Sequence, residues 1–178
     1  NQFKNLINVA CVLGYFNGDK YIKEQLQSIL NQKQEKFSIT IFISDDNSNR
    51  NFPLLDNFEL ENTKNNEIYY RKLEKNIGYA NNFIFSLRDI NLEFDYFCFS
   101  DQDDIWLQNK IENALNKIIK YNKKLPVLYC GRTTYFDENC EFELGKSLFF
   151  KKKPNFRNAI IQSLAGGNTM LFNTSAKD

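Results

Sequence analysis

Residues 94–106 read FDYFCFSDQDDIW. The first seven residues are aromatic and β-prone, the signature of a buried strand. The run then turns abruptly into Asp101-Gln102-Asp103-Asp104, followed by Trp106. A buried strand that empties into an acidic loop is how open α/β sheets present ligand sites, because ligands bind beyond the carboxyl ends of parallel strands.

The periods on either side alternate. Residues 6–13 (LINVACVL) and 37–44 (FSITIFIS) are short apolar runs, read as strands buried on both faces. Between them Ile22, Leu26, Ile29 and Leu30 fall on one helical face, with Asp19 placed to cap it. Residues 51–66 are polar and Asn-rich, read as a short helix and a loop. Residues 67–71 (EIYYR) form a third strand, Asn76-Ile77-Gly78 a turn, and Ala80, Phe83, Ile84 and Leu87 a second helix face. After the acidic loop, Ile111, Leu115, Ile118 and Ile119 mark a third helix ending near Lys123. A strand follows at 127–130, another is read at 132–136, an aromatic and basic loop at 142–153, and a last strand at 169–172 behind Gly166-Gly167-Asn168. This β-α alternation predicts an α/β fold: a Rossmann-like, mostly parallel sheet with helices on both faces.

Composition narrows the chemistry. The 178 residues contain no histidine, so no histidine-based triad, dyad or zinc motif can exist here. Acid–base or metal chemistry must run on Asp, Glu, Lys, Tyr or Cys. A formal charge of +1 gives no field for nucleic acid, so none is expected as a partner. The cysteines at 11, 98, 130 and 140 form no CxxC, which reads as a reduced, cytoplasmic protein. No apolar run approaches the length of a membrane span, and the start shows no signal-peptide pattern.

Asp101, Asp103 and Asp104 crowd three carboxylates into four residues. Such repulsion calls for an offset: a cation, basic neighbours or solvation. Carboxylate oxygens suit Mg²⁺ or Mn²⁺, which take one or two protein carboxylates and complete their shells with water and substrate phosphates. The competing reading makes Asp103 and Asp104 caps of the next helix. With no P-loop and no GxGxxG, phosphate binding falls to the ion. Asp45 and Asp46 end the second strand, where an acidic residue meets a nucleoside or merely shapes a turn.

Four segments in this order, YFNGDKYIKEQLQSILNQ (15–32), ITIFISDDNS (39–48), NIGYANNF (76–83) and FSDQDDIWLQNKI (99–111), resemble family 2 glycosyltransferases. The resemblance runs from about Ile7 to Asn173 and is greatest to the bacterial cell-surface polysaccharide and rhamnosyltransferase branch. It implies a GT-A fold and inverting transfer from a UDP- or dTDP-sugar to a saccharide or lipid-linked acceptor. It places Leu13, Tyr15 and Phe16 beside the base, with Phe16 standing where relatives carry Tyr. Asp46 would bond the base, Asn76 and Gly78 border the donor, and Asp101 and Gln102 approach ribose. Asp103, with Asp101 or Asp104, would hold Mg²⁺ or Mn²⁺. Trp106, Gly167 and Asn168 fall on the acceptor side. The family's general base lies downstream of the Gly-Gly-Asn segment, and no carboxylate stands between Glu143 and Asp178. The chain is therefore read as one truncated domain, 1–125 holding the donor and 126–178 opening the acceptor half, with the base beyond Asp178.

Two other readings stay open. A sugar-nucleotide pyrophosphorylase shares the acidic loop but needs a Gly-rich loop near the start, which is absent. A non-catalytic binding module is the other; residues 148–156 (LFFKKKPNF) would let it touch an anionic membrane or a lipid-linked acceptor.

Overall fold

The computed structural model describes residues 6–33, 35–52, 66–91, 93–150 and 165–177. The readings of a helix and loop at 51–66, and of the basic stretch at 151–156, fall largely outside the described residues.

Strands β1 (Ile7–Tyr15), β2 (Phe37–Asp45), β3 (Asn66–Lys72), β4 (Tyr96–Ser100), β5 (Leu128–Cys130) and β8 (Met170–Asn173) form one six-stranded sheet in the order β3-β2-β1-β4-β8-β5. The pairings of β1 with β2 and β4, and of β2 with β3, are parallel. β8 alone runs against its neighbours β4 and β5. β5 does not lie beside β4; β8 slots between them. This pairing is long-range in sequence and leaves no periodic trace.

Helices α1 (Ile22–Leu30) and α3 (Lys110–Ile118) cover one face, and α2 (Tyr79–Asp89) the other. The period-2 alternation of β1 explains both layers. Val9, Cys11, Leu13 and Tyr15 pack with Ile22, Leu26, Ile29, Ile111, Leu115 and Ile118. Ala10 and Val12 pack with Phe97, Phe172 and Ile90, against Phe83 and Leu87. Each such apolar side chain, fully buried, stabilises by about 1.5–3 kcal/mol. Cys11 and Cys98, far apart in sequence, are register partners on adjacent strands, and both thiols are free and buried.

Several local expectations shift. Asp19 does not cap α1; the Gly18 carbonyl accepts from the Tyr21 and Ile22 amides and closes that turn. The inward face of α2 is rotated. Ala80 and Ile84 are exposed, while Asn82 and Ser86 are buried. Polar Asn82 turns inward because it bonds the end of β2 twice: Ser44 Oγ donates to its Oδ1 (2.6 Å), and its Nδ2 donates to the Ser44 carbonyl (2.9 Å). β4 begins at Tyr96 rather than Phe94, and α3 ends at Ile118, leaving Ile119 half exposed. The stretch read as an aromatic loop contains β7 (Glu143–Lys146), paired antiparallel with β6 (Thr134–Phe136). A short helix α4 (Thr174–Lys177) closes the described chain. No described helix is long and apolar enough to cross a membrane.

Candidate donor site at the strand ends

The parallel strands β1, β2 and β4 release their chains at one edge, and three polar loops meet there. The first two are stitched together. Ser48 Oγ accepts from the Asn17 amide (2.9 Å), and Asn17 Oδ1 accepts from the Asn49 amide (2.9 Å). Asn17 and Asn47 hold the left-handed backbone (φ 50° and 65°) that Asn tolerates better than most residues.

The acidic loop is stitched to the first loop by Gln102. Its Oε1 accepts from the Phe16 amide (2.8 Å) and its Nε2 donates to the Phe16 carbonyl (3.2 Å). Gly18 leaves the room: a Cβ there would stand 2.3 Å from Gln102 Oε1. From below, α1 holds the loop with a polar stripe beside its apolar face. Gln25 Nε2 donates to Ser100 Oγ (2.5 Å), Ser28 Oγ accepts from the Trp106 amide (2.9 Å), and Gln32 Nε2 donates to the Leu107 carbonyl (2.8 Å). Sequence reasoning missed this stripe; its signal was Gln and Ser at helical spacing next to a buried face.

The two acid clusters differ. Asp45 is fully buried and accepts from the Ser48 amide (2.7 Å) and the Tyr70 hydroxyl (2.8 Å). Asp46 accepts from the Ile77 and Gly78 amides at 2.8 and 2.9 Å, one per oxygen, while Asn76 Nδ2 donates to its carbonyl. This unites the predicted residues Asp46, Asn76 and Gly78 at the start of α2. Gly78 (φ 83°) supplies the bend. Burial, then the facing Asp45, raises the Tyr70 hydroxyl; burial, then Asp19, does the same for Tyr15, which donates to Asp19.

Asp103, by contrast, is exposed, and Asp101 and Asp104 are half-buried. Burial lifts the Asp101 carboxyl above its ordinary range, and the charges of Asp104 and then Asp103 push it further, with Lys110 pulling back. Neither Asp103 nor Asp104 caps a helix: α3 starts at Lys110 behind Asn109, without a side-chain cap. The helix-cap reading of this loop fails on that count. Among the described residues, no three Asp, Glu or Cys side chains converge as a closed metal cage. The donor set suits an ion held by one or two carboxylates and completed by a ligand's oxygens.

The remaining predicted positions are mixed. Phe16 lies on the surface, 43% exposed. Leu13 and Tyr15 belong to the core beneath the site, and Trp106 is buried under Lys110. The Gly166–Thr169 turn touches the loop: Asn168 Nδ2 donates to Asp104 Oδ2 at 2.6 Å. Lys110, half-buried and donating to the Asn168 carbonyl, stands in the quoted segment 99–111 but carried no role there, because lysine defaults to the surface.

A mostly parallel α/β sheet with three joined polar loops at its carboxyl edge has the GT-A fold. The match to the glycosyl transferase family 2 model covers residues 11–178, and the chain belongs to that family. It is 41% identical over 109 residues to the dTDP-rhamnosyl transferase RfbG of Shigella flexneri, covering 60% of this chain and 37% of that protein. An uncharacterized glycosyltransferase of Rickettsia felis is 31% identical over 127 residues, covering 69% of this chain and 19% of that one. The chain thus spans well under half the length of these curated relatives.

Two solved structures share the fold. Mannosyltransferase PcManGT from Pyrobaculum calidifontis, in complex with GDP-Man and Mn²⁺, superposes with a TM-score of 0.62 at 15% identity, covering 93% of this chain and 44% of that one. S. aureus TarS 1-349 in complex with UDP-GlcNAc superposes with a TM-score of 0.51 at 22% identity, covering 62% of this chain and 32% of that one.

Proposed function

We propose that the domain binds a UDP- or dTDP-sugar across the β1, β2 and β4 ends. It is the donor half of an inverting transferase that builds cell-surface polysaccharide on a saccharide or lipid-linked acceptor. The observation that carries this reading is the acidic loop at the end of β4, bonded through Gln102 to the backbone of Phe16 and left with an exposed Asp103.

Asp103, with Asp101 or Asp104, would hold Mg²⁺ or Mn²⁺, which as a Lewis acid steadies a departing diphosphate. The chain's own residues do the rest. Gln102 fixes the loop against the first strand end, and exposed Phe16 offers a ring for a base to lie on. Asp46 has two of its roughly four acceptor sites engaged by backbone amides, and the others can take a base N–H. Asn76 and Gly78 then form the wall beside the donor. The proton of the attacking hydroxyl goes to a carboxylate that the described site does not supply.

The test is calorimetric titration with UDP, dTDP and GDP, each with Mn²⁺, with Mg²⁺ and with chelator. The reading predicts ion-dependent binding of UDP or dTDP. It also predicts negligible transfer by this chain alone, and release of nucleoside diphosphate rather than pyrophosphate by a longer enzyme that contains it. Pyrophosphate release would point to the pyrophosphorylase class.

A further inference from the structure

The Gly166–Thr169 turn meets the acidic loop through one half-buried lysine. Lys110 opens α3, and its Nζ lies 3.7 Å above the centroid of the Trp106 ring. The same ammonium donates to the Asn168 carbonyl. Asn168 answers with its side chain, donating from Nδ2 to Asp104 Oδ2 (2.6 Å). With the backbone that joins Asp104 to Lys110, these contacts close a ring through Asp104, Asn168 and Lys110.

Burying an ammonium costs free energy unless it is paired. Here a carbonyl and an indole face share that task, an arrangement far more specific than a surface lysine needs.

Resting on the donor-site reading above, we propose that Lys110 is a positioning residue. It straps the 166–169 turn onto the acidic loop, so that Asp103 faces the ion-bound diphosphate from a loop of fixed shape. Lys110 touches no substrate in this account; it acts through Asn168 and Asp104.

The experiment compares wild type, Lys110→Met, Asn168→Ala and the double variant of the 178-residue chain. Methionine keeps the length and the packing on Trp106 while removing the charge. Amide hydrogen exchange, without ion or nucleotide, reads the strap. In Lys110→Met the Thr169 amide, bonded to the Gly166 carbonyl, should exchange ~10-fold faster, with β1 amides unchanged. Calorimetry with dTDP and UDP reads the positioning: affinity in Mn²⁺ should fall ~10-fold, affinity in chelator should stay as it was. The double variant should lose less than the sum of the singles, because both act in one ring.

A general folding defect would instead lower both affinities and speed exchange throughout. If Lys110→Met does not fold, Asn168→Ala still decides, since it cuts the ring at its half-exposed member. Unchanged exchange at Thr169 overturns the strap. Faster exchange with intact Mn²⁺-dependent affinity overturns the positioning role. Wild type that binds neither nucleotide with Mn²⁺ defeats the donor-site reading, and the exchange result still judges the strap by itself.

Discussion

Asp45 and Asp46 close β2, and Asp101, Asp103 and Asp104 follow β4, at the same edge of one sheet with β1 between them. In sequence the two clusters look alike. In the fold the first is anchored: both side chains are buried, and each oxygen accepts from a hydroxyl or a backbone N–H group. The second is crowded, with Asp103 exposed and the Asp101 carboxyl raised by burial and by its neighbours. A carboxylate fed by amides holds loops together. Carboxylates that repel one another hold free energy that a cation can release. On the function proposed above, the first cluster builds the site and the second gives it chemistry.

That contrast can be broken most easily at Asp46. Asp46→Ala strands the Ile77 amide and leaves the Gly78 amide only Asn76 Oδ1, so a loss of about 2 kcal/mol is expected in urea denaturation. A variant as stable as wild type would erase the distinction. Asp103→Asn should do the opposite: the urea midpoint stays, while transfer by a longer enzyme containing this domain falls ~100-fold. Gly18→Ala tests the join between the clusters. Its Cβ would displace Gln102, costing about 1–2 kcal/mol and weakening nucleotide binding. Normal binding in that variant would show that Gln102 does not matter to the site.

Asp101→Asn gives the smallest effect and a distinctive sign. The folded chain holds the Asp101 proton more tightly than the unfolded one, whose value is near the ordinary 3.8. Stability without metal therefore falls as pH rises from 3.8 through the raised value. Asp101→Asn should flatten that slope and raise Tm slightly at neutral pH. Its gain in Tm on adding Mn²⁺ should be smaller than that of wild type. A wild-type slope of the opposite sign would contradict the crowding.

How much of this was legible follows from range in sequence. The four parallel strands and the buried faces of α1 and α3 are local patterns, and the apolar runs at 6–13 and 37–44 with Ile22, Leu26, Ile29, Ile111, Leu115 and Ile118 displayed them. The acidic loop was equally plain. The insertion of β8 between β4 and β5 was not, because it joins segments through pairings such as Phe97 with Phe172. The inward turn of Asn82 and Ser86 ran against polarity, since Asn82 bonds Ser44 of β2, and Ser86 bonds Asn82 and Arg71 of β3. Cys11 beside Cys98 is a matter of register. Lys110 was hidden for a related reason: its partner, the Asn168 carbonyl, comes from 58 residues away.

The central claim is that the β4 loop, not the β2 pair, carries the ion-dependent binding of the nucleotide. One titration decides it: dTDP and UDP into wild type and Asp103→Asn, with and without Mn²⁺, followed by calorimetry. The account predicts Mn²⁺-dependent binding in wild type that Asp103→Asn abolishes without loss of fold. Equal, Mn²⁺-dependent affinity in both proteins would contradict it.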